Sequence, residues 1–148
     1  MGKHKRFTSL ENATSTGPGE SRKTAGHPQL GLYVVADGLD PTNDTLEVRG
    51  EVSHNNEDFT HVNIGISQND DVLKVSTQDF VESDVNPGVY TAYRQAHNVP
   101  IEHLRANIIS YQDNDATAGI AVTAYLYVTG WTGAGKSYNE RTDFAPQQ

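Results

Sequence analysis

A chain of 148 residues with 35% hydrophobic and 20% charged residues is long enough for one domain with a sizeable core. The absence of cysteine excludes disulfides and any cysteine-ligated metal. No apolar run reaches the roughly 18 residues of a membrane helix, and nothing near Met1 reads as the apolar core of a signal peptide.

The net charge of −8 is unevenly spread. Lys3, Lys5, Arg6, Arg22 and Lys23 are five of the eleven basic residues. From Thr24 onward six basic residues face seventeen acidic ones, a net of −11. That acidic body would repel phosphate, so nucleic acid is not an expected partner except through the basic N-terminal segment. The body holds two lysines, Lys74 and Lys136, against eleven aspartates in the chain. This balance suits a protein kept soluble by carboxylate hydration in concentrated salt, where screening relieves mutual repulsion.

Residues 1–28 are rich in Ser, Thr, Gly and Pro, with Phe7 and Leu10 as their large apolar groups. Such a segment buries too little to offset its own ordering entropy, and is expected to be a flexible basic arm that orders on a partner. The body, residues 29–148, is expected to form a single domain. Leu30–Ala36 reads as a strand, closed by the turn chemistry of Asp37-Gly38 and Asp40–Asn43. Thr45–His54 alternates, with Leu46, Val48 and Val52 inward and Glu47, Arg49 and Glu51 outward. Phe59–Ser67 follows, with Val62, Ile64 and Ile66 inward. Partners across this hairpin must share a face, so Val52 must sit opposite Val62 or Thr60. The loop count is then odd, most simply the three residues Asn56–Asp58.

Val72–Ser76 is a short strand, and Gly88–Arg94 another after the Asn86-Pro87-Gly88 turn. Gln78–Val85 shows no clear pattern. Pro100 can open one helical turn over Ile101–Arg105, after which Leu104–Tyr111 reads as strand. The dominant stretch is Ala118–Trp131. One of its faces is Ala118, Ile120, Val122, Ala124, Leu126 and Val128. The other includes Thr123, Tyr125, Tyr127, Thr129 and Trp131, a face suited to packing on another layer or subunit. A last edge strand is expected around Tyr138. Seven or eight strands at short intervals predict an all-β chain, an antiparallel β-sandwich of jelly-roll type with an extended N-terminal arm.

Gly130–Ser137 matches the phosphate-loop pattern G-x-x-x-x-G-K-[ST], but only eleven residues follow, with no apolar helical stripe and no strand after such a helix. The chemistry needs a helix N-terminus and a later strand bearing a magnesium ligand, so a glycine-rich turn is the expected reading. His54 and His61 fall on opposite faces of one hairpin, and His97 and His103 lack the spacing of a zinc helix. Asp70-Asp71 and Asp113–Asp115 do not fit a calcium loop. No catalytic residue, cofactor or metal is implied.

A basic arm, an acidic β-sandwich and aromatic ladders together resemble a small virion protein. The Lys-poor, Asp-rich body is similar to those of viruses of halophilic archaea, whose tailless members use single jelly-roll capsid proteins. The resemblance implies a non-enzymatic structural protein, located in the virion. It would be a capsid or capsid-associated subunit (minor capsid, cement, spike-base or decoration), with copies of itself and other virion proteins as partners. The expected contact residues are Lys3, Lys5, Arg6, Phe7 and Leu10 on the arm and Tyr125, Tyr127 and Trp131 on the long strand. A carbohydrate- or surface-binding sandwich module, stacking sugars on exposed Tyr and Trp, is the alternative. Nucleotide titration should give the same absence of binding for the native chain and Lys136→Ala; saturable binding lost in the variant would restore the phosphate loop.

Overall fold

The alternation of the long C-terminal stretch is met by an equal alternation in the stretch that begins the body, and the two form the centre of the fold. In the computed structural model, which describes residues 3–24, 29–62, 71–96, 102–114 and 119–131, eleven strands follow one another. They are β1 (Lys3–Ala13), β2 (Gly17–Pro18), β3 (Arg22–Lys23), β4 (Gln29–Asp37), β5 (Thr45–Ser53), β6 (Thr60–His61), β7 (Lys74–Ser76), β8 (Val81–Glu82), β9 (Val89–Ala96), β10 (His103–Gln112) and β11 (Ala121–Trp131). A single 3-10 turn, Thr77–Asp79, separates β7 from β8. No helix among the described residues is long and apolar enough to cross a membrane.

The strands form two antiparallel sheets. Sheet A runs β1-β11-β4-β9-β8, and sheet B runs β2-β10-β5-β6, with β3 also on β10 and β7 also on β5. The chain passes between the sheets from β1 to β2, from β3 to β4, from β4 to β5, from β7 to β8, from β9 to β10 and from β10 to β11. β1 pairs with β11, β2 and β3 with β10, β4 with β9, and β5 with β6 and β7, a nested set of antiparallel pairings that fills the four positions of each sheet and wraps the chain as a jelly roll. This is the antiparallel sandwich that the alternating patterns predict.

The core lies between the sheets. Leu30, Leu32, Val34 and Ala36 of β4 and Val122, Ala124, Leu126 and Val128 of β11 point inward from sheet A. Leu46, Val48, Leu104, Ala106 and Ile108 meet them from sheet B. Gly50 lets Leu73 into this layer: a Cβ there would collide with the Leu73 side chain, while the Gly50 N–H donates to the Leu73 carbonyl at 2.8 Å.

Three local expectations change. First, residues 3–24 are not a free arm. β1 pairs along β11, Arg6 with Tyr127 and Phe7 with Leu126, through three register shifts. Residues on one face of β1 complete the core: Leu10 is buried and Phe7 packs against it. A corner then ties β1 to both sheets. The Ser9 hydroxyl donates to the Glu20 carbonyl at 2.7 Å and accepts from the Ala106 N–H at 2.8 Å, while the Ser9 carbonyl accepts from the Glu20 N–H. Gly19 passes so close to the Ser9 backbone that no side chain fits there.

Second, the helical turn expected up to Arg105 is strand from His103 onward, because β10 is paired on both edges there, to Ser53 of β5 and Lys23 of β3. Ladder bonds on two sides outweigh the local preference set by Pro100. Third, Gln78–Val85 contains the end of the 3-10 turn and β8.

The hairpin register takes one of its two expected forms, Val52 opposite Thr60. The loop centres on Asn56, which adopts the left-handed conformation (φ 61°) that asparagine tolerates. Ser53 and Asn55 hold it: the Asn55 side-chain oxygen accepts from the N–H groups of Glu57 and Asp58, each at 2.9 Å. The expected strand Phe59–Ser67 is strand at Thr60–His61, and Ile64 and Ile66 lie outside the described residues, as do the Gly133–Gln148 tail and its Tyr138.

Because β1 is built into the sheet, deleting residues 1–13 should lower the denaturation midpoint of the isolated chain. Leu10→Ala should cost about 2–3 kcal/mol in a chemical unfolding titration. An unchanged midpoint for the deletion would show that β1 is a detachable arm after all.

Candidate functional site

The period-two pattern that sends leucines and valines inward sends a second set of residues to the outer face of sheet A. The register fixes three rows across it. Thr8, Tyr125, Tyr33 and Tyr93 align from β1 through β11 and β4 to β9. Arg6, Tyr127, Gly31 and Gln95 form the next row, and Thr123, Val35, Thr91 and Val81 the one beyond. Four tyrosines thus gather on one surface from three strands that are far apart in sequence.

Their contacts make the surface continuous. The rings of Tyr33 and Tyr125 stack at 6.3 Å with a 29° interplanar angle. The Arg6 guanidinium lies 4.9 Å from the Tyr125 ring centre, a cation–π contact. The Tyr93 ring lies across Gly31: a Cβ there would come within 2.8 Å of the Tyr93 hydroxyl and 3.3 Å of the Tyr127 Cβ. Glycine at this one point keeps the face flat. Tyr33, Tyr125 and Tyr127 are half-buried by these neighbours, whereas Tyr93 is 51% exposed and Val81 69% exposed. Among the described residues placed outward by the register, Lys3, Arg6 and Asp37 are the charged ones.

The outer face of sheet B is chemically opposite. Arg49 and Glu51 of β5 lie beside Asn107 and Arg105 of β10. Glu51 points away from the core as expected, yet it is only 2% exposed because its neighbours close over it. Arg49 Nε and Asn107 Nδ2 donate to one carboxylate oxygen at 2.8 and 2.9 Å, and Arg105 Nε donates to the other at 2.9 Å. Arg105 is itself covered by the Phe59 ring at 3.9 Å, and Arg49 reaches Asp71 at 3.5 Å. Burial alone would raise the Glu51 pKa. The hydrogen bonds from Asn107, Arg49 and Arg105 outweigh it and hold the carboxyl below its ordinary value. This face carries an ionic network in which both Glu51 oxygens are paired within the chain.

An open polar cleft of about 470 Å³ lies where β7 and the 3-10 turn approach β9, lined by Asp71, Lys74, Ser76, Asp79 and Arg94 among others. Its main cation is committed: Arg94 donates to Asp79 at 2.9 Å and to the Lys74 carbonyl at 3.3 Å. At one end of the sandwich Asp44 is buried, accepting from the N–H groups of Asp40 and Asn114 at 2.8 and 2.9 Å. Its oxygens are used to clasp two loops together. Among the described residues no cluster of three or more His, Asp or Glu is arranged to hold a metal.

The expected contact residues are therefore divided. Tyr125 and Tyr127 lie on the aromatic outer face of sheet A. Phe7 and Leu10 do not offer anchors to a neighbour, because β1 directs both into this chain's own core. Arg6 is spent on Tyr125. Lys3 sits opposite Trp131 and Lys5 opposite Val128 on the ladder, with their side chains and that of Trp131 outside the described residues. Tyr33, Tyr93 and Val81 belong to the same surface and are missing from the sequence-based set. For Tyr33 and Tyr93 the signal was present: each is the outward aromatic of an alternating strand.

No protein-family model matches this sequence, and no curated protein matches it. Among solved structures, the SPBc2 prophage-derived protein YomS is similar at 18% identity and a TM-score of 0.52, covering 87% of this chain and 95% of that one. A chain of the infectious bursal disease virus VP2 subviral particle is similar at 9% identity and a TM-score of 0.46, covering 86% of this chain and 32% of that one.

Replacing Glu51 with Gln should cost about 1–3 kcal/mol by leaving two guanidinium groups without their carboxylate. The folded pKa is depressed, so the stability that Glu51 adds is present above its unfolded value near 4.5 and is lost as pH falls through the lower folded value. Denaturation midpoints measured from pH 7 downward should fall more steeply for the native chain than for Glu51→Gln. Parallel curves would remove Glu51 from the account. The comparison with YomS shows a shared fold spanning nearly the whole of both chains.

Proposed function

We propose that this chain is a non-enzymatic virion structural protein, a capsid or capsid-associated subunit that assembles with copies of itself and with other virion proteins. The observation that carries this reading is the contrast between its two outer faces. One is an ionic network centred on Glu51 and paired within the chain, and the other is a flat Tyr, Thr and Val surface with few charges on a chain of −8. A large aromatic face with few charges on an acidic protein is burial left unfinished, and interfaces are where Tyr is enriched and charge depleted. The likeness in fold to a prophage-derived protein supports the viral setting.

Within that setting a minor capsid, cement, spike-base or decoration role suits the small size as well as a main shell does. The Lys-poor, Asp-rich composition supports a particle that works in concentrated salt, as viruses of halophilic archaea do. The exposed Tyr93 gives the carbohydrate-binding reading its one specific support, since a half-exposed ring on a flat sheet is a stacking platform for a sugar.

Light scattering of the purified chain at low and at multimolar salt tests the proposal. Acidic subunits repel, and salt screens that repulsion, so mass should rise with ionic strength above the 16.2 kDa of one chain. A monomer at both salts that binds glycans would replace the structural reading with the carbohydrate one.

A further inference from the structure

Resting on the subunit reading, we infer that the outer face of sheet A is a two-fold interface: it packs face to face on the same face of a second copy. Three observations lead to this occupant. The first is charge. Two chains of −8 repel least where they meet through a surface with few charges and no excess of acid, and this face, with Lys3, Arg6 and Asp37 as the charges that the register places outward, is such a surface. Sheet B could not serve, because separating its Arg49–Glu51–Arg105 network from water again would gain no new partner.

The second is size. Five strands spaced about 4.8 Å apart and roughly eight residues long at 3.3 Å each give a footprint of about 600 Å² before side-chain relief. A stable interface needs about 800 Å² of accessible surface from each partner, and corrugated side chains raise a footprint toward that figure. A pyranose ring would cover only a fraction of it.

The third is the arrangement of the rows. β4 is the central strand of sheet A, with β11 and β1 on one side and β9 and β8 on the other. A two-fold axis along β4 maps β9 of one copy onto β11 of the other. Tyr33 then lies near its own symmetry mate, and the exposed Tyr93 of each copy meets the Arg6–Tyr125 pair of the other. The most exposed ring of the face thereby lands on the half-open guanidinium and ring that lie equally far from the axis. An isologous contact requires this self-complementarity. Sheets packed face to face lie about 10 Å apart, which tyrosine side chains from both sides can fill.

The chain has no cysteine, so one introduced thiol reports contact between copies and nothing else. Val35 lies on β4 two residues from Tyr33, facing the same side. The experiment compares the full native chain with Tyr93→Glu, Val35→Cys and, on the exposed edge of sheet B, Thr60→Cys, in sedimentation velocity at low and multimolar salt and in non-reducing electrophoresis after mild oxidation. The expected result is a native chain that dimerises or assembles further, at least about tenfold weaker self-association for Tyr93→Glu, and a covalent dimer for Val35→Cys but not for Thr60→Cys. Native chains that assemble while Tyr93→Glu assembles equally well and Val35→Cys stays uncrosslinked would overturn the face assignment and leave the subunit reading standing. Native chains that remain monomeric at every salt would overturn both. Glycan binding that depends on Tyr93 in such monomers would assign the face to sugar instead. Tyr93 and Thr60 are exposed and Val35→Cys is nearly isosteric, so circular dichroism of each variant should match the native chain, and the crosslink gives a result even if Tyr93→Glu were to misfold.

Discussion

The nine-pair ladder between β4 and β11 is the constraint on which everything else hangs. Its register places Leu32 opposite Leu126 and Tyr33 opposite Tyr125, so one set of hydrogen bonds fixes the centre of the core and the centre of the outer face together. Period-two alternation leaves no freedom between them. A slip of one residue by either strand would turn its four inward aliphatic positions outward and its outward rings inward, which is why this pairing is so strongly specified. β9 extends the same logic by one strand, and β1 extends it on the other side with bulges that absorb its less regular sequence.

The two sheets share a core and nothing else in character. On sheet B, outward residues find partners within the chain, and the network around Glu51 shows how a carboxylate can be taken almost wholly out of water when three donors replace the lost hydration. On sheet A, outward residues are rings and hydroxyls whose contacts with one another leave area uncovered. An acidic chain that confines its charge to one side, its rims and its loops has a definite polarity from one sheet to the other, and this polarity orients it in any larger body.

How far the sequence revealed this depends on the range of the interaction. β4, β5, β9 and β11 were legible because alternation is local: Leu30–Ala36 and Ile120–Val128 each carry their face assignment within a few residues. The hairpin register was legible to within two choices because cross-strand partners must share a face. β1 was not. Lys3–Ala13 contains two large apolar residues, and only the presence of β11's free edge more than a hundred residues away makes a strand of it; the Asn12 N–H bonds a Thr123 hydroxyl across 111 positions. The burial of Glu51 was hidden for a related reason. Its outward direction followed from its position, but its cover comes from Arg105 and Asn107, 54 and 56 residues further on. Tyr93 and Tyr33 were readable as outward aromatics, and only the register shows that they belong to one row with Tyr125.

The Ser9 corner has a bearing on how the chain acquires its shape. One hydroxyl there joins the outermost strand of sheet A to β10 of sheet B, and its partner Glu20 lies on the connection between them. Closing that corner requires both sheets, since β1 pairs with β11 and, among the described residues, β11 follows every other strand. The first strand can therefore be stitched in only once the last of these is available, across a loop of more than a hundred residues. Until then the rim of β11 stands open as an unpaired template. At high concentration, that interval is when a strand from a neighbouring chain could take the place of the chain's own.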